Sequence, residues 1–167
     1  NGKAVCILRA SWLRKQKPAV SARSRLPRRG DRLPRKATIS VPELRAIQAR
    51  SRAKVALPVI AISHFWRTRE NPDPDGETLG IIVEALNTHW NEFEENGVTD
   101  LGVLIDWCAI YQAPHNEEQQ RVFGASLKTI NLWYAHKGTT VWMVTQGRDR
   151  VKGLSYWDKG WPSFEYA

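Results

Sequence analysis

LGVLIDWCAIYQ, residues 101–112, is apolar for about five positions and then turns to Asp106, Cys108, Tyr111 and Gln112. An apolar run of that length is too short for a helix and suits a strand buried on both faces. Two more stretches share this grammar, VALPVIAISHFW at 55–66 and TTVWMVTQ at 139–146. Long amphipathic segments separate the three. Strand, helix, strand, helix, strand is the pattern of a parallel sheet with helices on its faces. Such sheets take ligands outside the carboxyl ends of their strands. The groups at those ends, among them Ser63, His64, Trp66 and Asp106, are the first place to look for function.

A chain of 167 residues can hold one domain with a sizeable core. It has no apolar run long enough to cross a bilayer, so an intracellular, soluble protein is expected. Cys6 and Cys108 stand far apart and define no disulfide framework. The formal charge of +8 averages two unlike parts. Residues 1–54 hold 16 Lys and Arg against Asp31 and Glu43, a net of +14, whereas residues 55–167 hold 9 against 15 acids, a net of −6. The chain therefore divides into a basic, Pro- and Arg-rich extended arm, residues 1–39, and an α/β domain, residues 40–167. Residues 15–36, KQKPAVSARSRLPRRGDRLPRK, have three prolines and almost no acid, and should not fold alone. Three readings of the arm are open. It grips RNA or an acidic protein surface through the basic stretch 9–54. It is the remnant of an organelle transit region, plastid or mitochondrial. Or it is a solvated linker wrapped on its own domain.

Ser40-Val41-Pro42-Glu43 is a capping box with proline in the first turn, and predicts a helix to about Lys54 with Leu44 and Ile47 inward. A strand follows over 57–62. The turn-rich NPDPDG at 71–76 lacks the later bidentate acid of a calcium loop. Thr78 to Asn96 reads as one helix, with Leu79, Ile82, Val83, Leu86, Trp90 and Phe93 on a single face and Gly97 at its end. Asn116 caps a further helix whose stripe is Val122, Phe123, Leu127, Ile130, Trp133 and Tyr134. A strand over 140–145, a Gly- and charge-rich loop and a last helix opening at Pro162 complete the reading.

ISHFW, IDWCAIYQ, the downstream Glu117 and Trp133-Tyr134, and YWDKGWPSFE together resemble the motif series of the fungal heterokaryon-incompatibility (HET) domain. That domain belongs with the Toll/interleukin-1 receptor (TIR) domains in a flavodoxin-like superfamily. The resemblance covers roughly residues 55–167. Its PDPDG loop and INLWYAHKGTTVW are similar to stretches of uncharacterised protist proteins, dinoflagellate ones among them. It implies a three-layer flavodoxin-like fold, and the short C-terminal end then implies a sheet whose later strands are missing. It also implies one of two activities: hydrolysis of NAD by a glutamate on the helix after the third strand, matched here by Glu165, or assembly by domain-to-domain contact. The arm has no counterpart in the family pattern.

Cleaving the nicotinamide–ribose bond passes through an oxocarbenium-like state, which calls for a carboxylate near the anomeric carbon and aromatic surface for the base. Glu165 can supply the first, Trp66 and Trp161 the second, and Ser63, His64 and Asp106 can bond ribose or phosphate. Each has a plainer reading: Glu165 and Asp106 as backbone caps, His64 as a satisfied core histidine, Trp161 as packing. No GxGxxG follows the first strand, so a dinucleotide is not held in the Rossmann manner. Ser63, His64 and Asp106 cannot form a triad, because neighbouring strand residues point to opposite faces. The other histidines lack zinc-ligand spacing, so no metal is read. Two main functions remain open. One is a nucleotide-binding domain with NAD as substrate. The other is a non-catalytic scaffold subunit of a larger assembly, an organellar one included, which binds other subunits or itself. RNA binding through the arm is a third.

Overall fold

The computed structural model describes residues 5–16, 25–52, 56–147, 153 and 155–158. The chain enters through β1 (Leu8–Arg9) and a single helical turn, α1 (Ala10–Leu13), and reaches a 3-10 turn at Arg35–Ala37. Then follow α2 (Val41–Arg50), β2 (Val59–His64), α3 (Glu77–Thr88) and α4 (Trp90–Glu95). β3 (Gly102–Ile105) runs directly into the short α5 (Asp106–Ala109). After it come α6 (Glu117–Leu127), α7 (Ile130–Ala135), β4 (Thr140–Val144) and a 3-10 turn at Tyr156–Asp158.

The four strands form one open sheet in the order β1-β3-β2-β4. β2 pairs in parallel with β3 on one side and with β4 on the other, while β1 runs antiparallel along the outer edge of β3. Alternate side chains divide the core. Leu8, Ile60, Ile62, Val103 and Ile105 face the layer built by α3 and α4, where Leu79, Ile82, Leu86 and Trp90 are buried. Val59, Ala61 and Leu104 face the other layer, with Leu44 of α2 and Ile130 of α7. The result is a mostly parallel α/β sheet with helices on both faces, an arrangement compatible with three layers. Burying each large aliphatic side chain in it contributes about 1.5–3 kcal/mol.

The basic segment takes part in this core. Leu8, Leu13 and Leu26 are among its most deeply buried side chains, and Thr38 bridges back to Leu8. Gly102 makes room for β1: a Cβ there would stand 2.6 Å from Cγ2 of Ile7. Arg9 is held by Asp100 and Glu43, and the Ser11 amide and hydroxyl both donate to Asp100.

The capping box at Ser40 is present, with Ser40 and Glu43 bonding each other's backbone amides. Asn116 forms a second, with Gln119. Both long helices read from the sequence are interrupted. The first breaks at His89 (φ −93°, ψ 3°) and the second at Thr129 (φ −127°). The apolar period runs through both breaks unchanged, so sequence pattern alone shows one helix in each place. Of the second helix's expected inward stripe, Ile130 is buried, Phe123, Trp133 and Tyr134 are partly buried and Leu127 is exposed. β4 is likewise an edge, with Thr140 and Met143 exposed.

Candidate functional site

The register of β2 on β3, Ile62 opposite Ile105, brings the residues that follow each strand to one level. There the His64 Nε2 lies 2.9 Å from Oδ1 of Asp106, and the indole Nε1 of Trp66 donates to the other carboxylate oxygen at 3.2 Å. The Trp107 amide also donates to Asp106. Both His64 and Asp106 are buried. Burial alone would raise the Asp106 carboxyl, but the neighbouring His64 and these hydrogen bonds outweigh it and hold the group below its ordinary range. The ring of Trp66 stands edge-on to Trp107, centroids 5.3 Å apart.

Ser63 points to the other face of β2, where its hydroxyl shares a hydrogen bond of 2.6 Å with Tyr156. Beside it the Tyr134 hydroxyl donates to the Ile62 carbonyl. Past Trp66 the chain turns toward β4. Arg67 is 2 % exposed, with Nη1 2.8 Å from Glu77 and Nε donating to Thr78 at 3.3 Å. Its Nη2 has no hydrogen-bond partner among the described residues. Gly147 closes over this guanidinium with φ +84°, where a Cβ would stand 2.5 Å from Nη1. Chain order reverses between β2 and β4, the position where open parallel sheets take ligands. The N-terminus of α3 faces this region, yet it is already occupied: buried Asp73 accepts from the Thr78 and Leu79 amides and from the Leu26 amide.

The basic segment reaches the same end of the sheet. The Arg29 amide donates to the Trp107 carbonyl, and the Trp107 indole donates to the Leu26 carbonyl. Nη2 of Arg28 donates to the carbonyls of Gln112 and Ala113, both at 2.7 Å. The guanidinium of Arg28 lies 5.9 Å from the centre of the Trp107 ring and that of Arg29 lies 4.9 Å from Tyr111.

Of the residues singled out by sequence, His64, Trp66 and Asp106 therefore meet in one network, and Ser63 is turned away from it toward Tyr156. Trp161 and Glu165 lie outside the described residues. Sequence reasoning missed Arg67, Asp73, Trp107 and Tyr156. A signal existed for the first two: a lone arginine directly after SHFW, and an aspartate five residues ahead of a helix's first amides. Cys108 is buried, which raises its thiol well above the ordinary range and keeps it unreactive. Among the described residues no group of three or more His, Cys, Asp or Glu could hold a metal ion. No described helix is long and apolar enough to cross a membrane. No protein-family model, curated protein or solved structure matches the chain.

Proposed function

We propose that this is a TIR/HET-like, flavodoxin-like domain whose strand-end crevice binds a nucleotide, with NAD as its substrate. The observation that carries the reading is the convergence of His64, Trp66 and Asp106 at the carboxyl ends of adjacent parallel strands, with Trp107 edge-on to Trp66. The strand order adds support. Taken by their occurrence in the chain, the parallel strands lie second, first, third, the order in which flavodoxin-like sheets begin. Trp66, half-buried, offers a ring on which a base can stack. Asp106 fixes Trp66 and His64 in place.

In the hydrolysis so proposed, the bond between nicotinamide and the ribose anomeric carbon breaks and its electron pair leaves with nicotinamide. Water adds to that carbon, giving ADP-ribose and one proton. Glu165 carries the carboxylate role through the family resemblance. The test is nicotinamide release from NAD by the full chain, beside Glu165→Ala. Release that disappears in the variant supports hydrolysis at Glu165. No release from either, at high protein concentration, removes the catalytic part of the proposal.

A second reading, a non-catalytic interaction module, draws on the internal engagement of Asp106, which already accepts from His64, Trp66 and the Trp107 amide. Sedimentation equilibrium distinguishes it: a stable self-associated species that binds no nucleotide favours assembly over chemistry.

A further inference from the structure

We infer that residues 25–32 of the basic segment supply a phosphate-binding rim to the strand-end crevice, so that the ligand taken there is a phosphate-bearing nucleotide. The inference rests on the reading of that crevice as a nucleotide site, and adds which part of the ligand is recognised and by what.

Position is the first argument. This stretch is tied to the loops that follow both β2 and β3. Leu26 bonds Asp73 through its amide and Trp107 through its carbonyl. Arg29 bonds Trp107 through its backbone. Trp107 in turn touches Trp66, which bonds Asp106. An unbroken chain of contacts thus leads from the arginines to the centre of the site.

Charge is the second. The chain after β2, residues 65–77, holds Glu70, Asp73, Asp75 and Glu77 against Arg67 and Arg69, Asp106 follows β3, and residues 55–167 carry a net −6. A phosphate approaching those loops alone would meet a field of its own sign. Residues 25–32 hold Arg25, Arg28, Arg29 and Arg32 against Asp31, a net of +3, and the Asp31 carboxylate is engaged by the Arg28 backbone amide at 2.7 Å. The segment, bonded to Asp73 and Trp107, brings the opposite sign beside those loops.

Preorganisation is the third. Among the described residues Arg28 is pinned through Nη2, which leaves the other guanidinium nitrogens to donate to an anion. Holding one edge of the fork on two carbonyls fixes its plane, which reduces the side-chain entropy lost when an oxyanion binds. Arg28 and Arg29 are anchored on Trp107 and Tyr111, a fixed placement that suits a small nucleotide better than the extended backbone of RNA.

The test measures binding of ADP-ribose, inorganic pyrophosphate and adenosine to the full chain by calorimetry at two salt concentrations. Wild type should bind ADP-ribose at least about tenfold more tightly than adenosine, the worth of one or more charge-assisted hydrogen bonds. Pyrophosphate should compete with ADP-ribose, and added salt should erode the difference. Arg28→Ala should remove most of the preference, lowering ADP-ribose affinity far more than adenosine affinity. If Arg28→Ala loses all binding together with thermal stability, the decision passes to Arg25→Gln/Arg32→Gln. Both of those residues are exposed and away from the packing. A selective loss of ADP-ribose affinity there supports the rim, and no change overturns it.

Equal affinity for ADP-ribose and adenosine, indifferent to these arginines, overturns the inference and leaves the crevice as a nucleoside site. No binding of any of the three overturns both the inference and the reading beneath it. Tighter binding of a single-stranded oligouridylate that pyrophosphate does not displace overturns the rim in favour of an RNA-binding arm.

Discussion

The parallel strands and the basic segment solve the same burial problem by opposite means. β2 is continuous and apolar up to Ser63, and all six of its residues are buried. The basic segment is polar on average and reaches the core through single anchors spaced along the chain: Leu8, Ala10, Leu13, Leu26, Ala37 and Ile39. Between the anchors its described arginines stay at the surface or find an acid or an aromatic ring, as Arg9 does with Asp100 and Arg14 with Trp90. Mean composition measures the surface of such a segment. Its contribution to folding is carried by a handful of residues that composition dilutes.

The largest expected effect tests the strand side of this contrast. Asp106→Asn breaks a buried pair with His64 and should destabilise the fold by about 3–5 kcal/mol, read from urea unfolding. A change under about 1 kcal/mol, as for a typical surface substitution, would mean that the network is dispensable to folding. It would then be best understood as held ready for ligand.

Leu8→Ala tests the other side. If the basic segment is integral, removing this fully buried side chain should cost about 2–5 kcal/mol, close to any core leucine. If it is an appendage, the midpoint will not move and the contrast collapses.

Gly147→Ala sharpens the comparison at the β2–β4 end. A methyl there meets the Arg67 guanidinium from a backbone with φ +84°. The cost should exceed about 1 kcal/mol, against the usual gain from replacing glycine.

The smallest effect belongs to the junction between the two regions, where Ser40→Ala removes the cap of α2 at a cost of about 1 kcal/mol. The same junction should show in acid. Hydrogen bonds from the Ser40 side chain and backbone, then Arg9, lower the Glu43 carboxyl to about 2. Its folded value lies below the unfolded one, near about 4.3. The contribution is therefore complete above the unfolded value and fades as pH falls toward about 2, and Glu43→Gln should flatten that limb. Glu43 is half exposed, so solvent screening keeps the effect small.

Much of the parallel core was legible because its signals are local. A five-residue apolar run specifies a buried strand, and Ser40 with Glu43, three residues apart, can bond within a single turn. The two helix breaks were not legible, because the side-chain period continues across His89 and Thr129 while the backbone leaves the helix. At the site, strand-end placement picked out His64, Trp66 and Asp106, since side chains there project from the carboxyl edge of any such sheet. Strand alternation already set Ser63 on the face opposite His64, but it could not name Tyr156, a residue 93 positions later, as its partner.

Sequence alone accounts for the three parallel strands, the caps and the unequal charge of the two regions, all of which follow from residues within a few positions of one another. The packing of the chain settled the rest. It laid β1 against β3, gave Asp106 its three donors, and buried Arg67 between Glu77 and Gly147. Apart from the adjacent Trp107 amide, those contacts join residues from 10 to 95 positions apart, and no local pattern states which distant partner will close them. Their free energy appears only when the sheet is assembled, because burial is what turns an aspartate, a histidine and an indole into a network that water would otherwise dissolve.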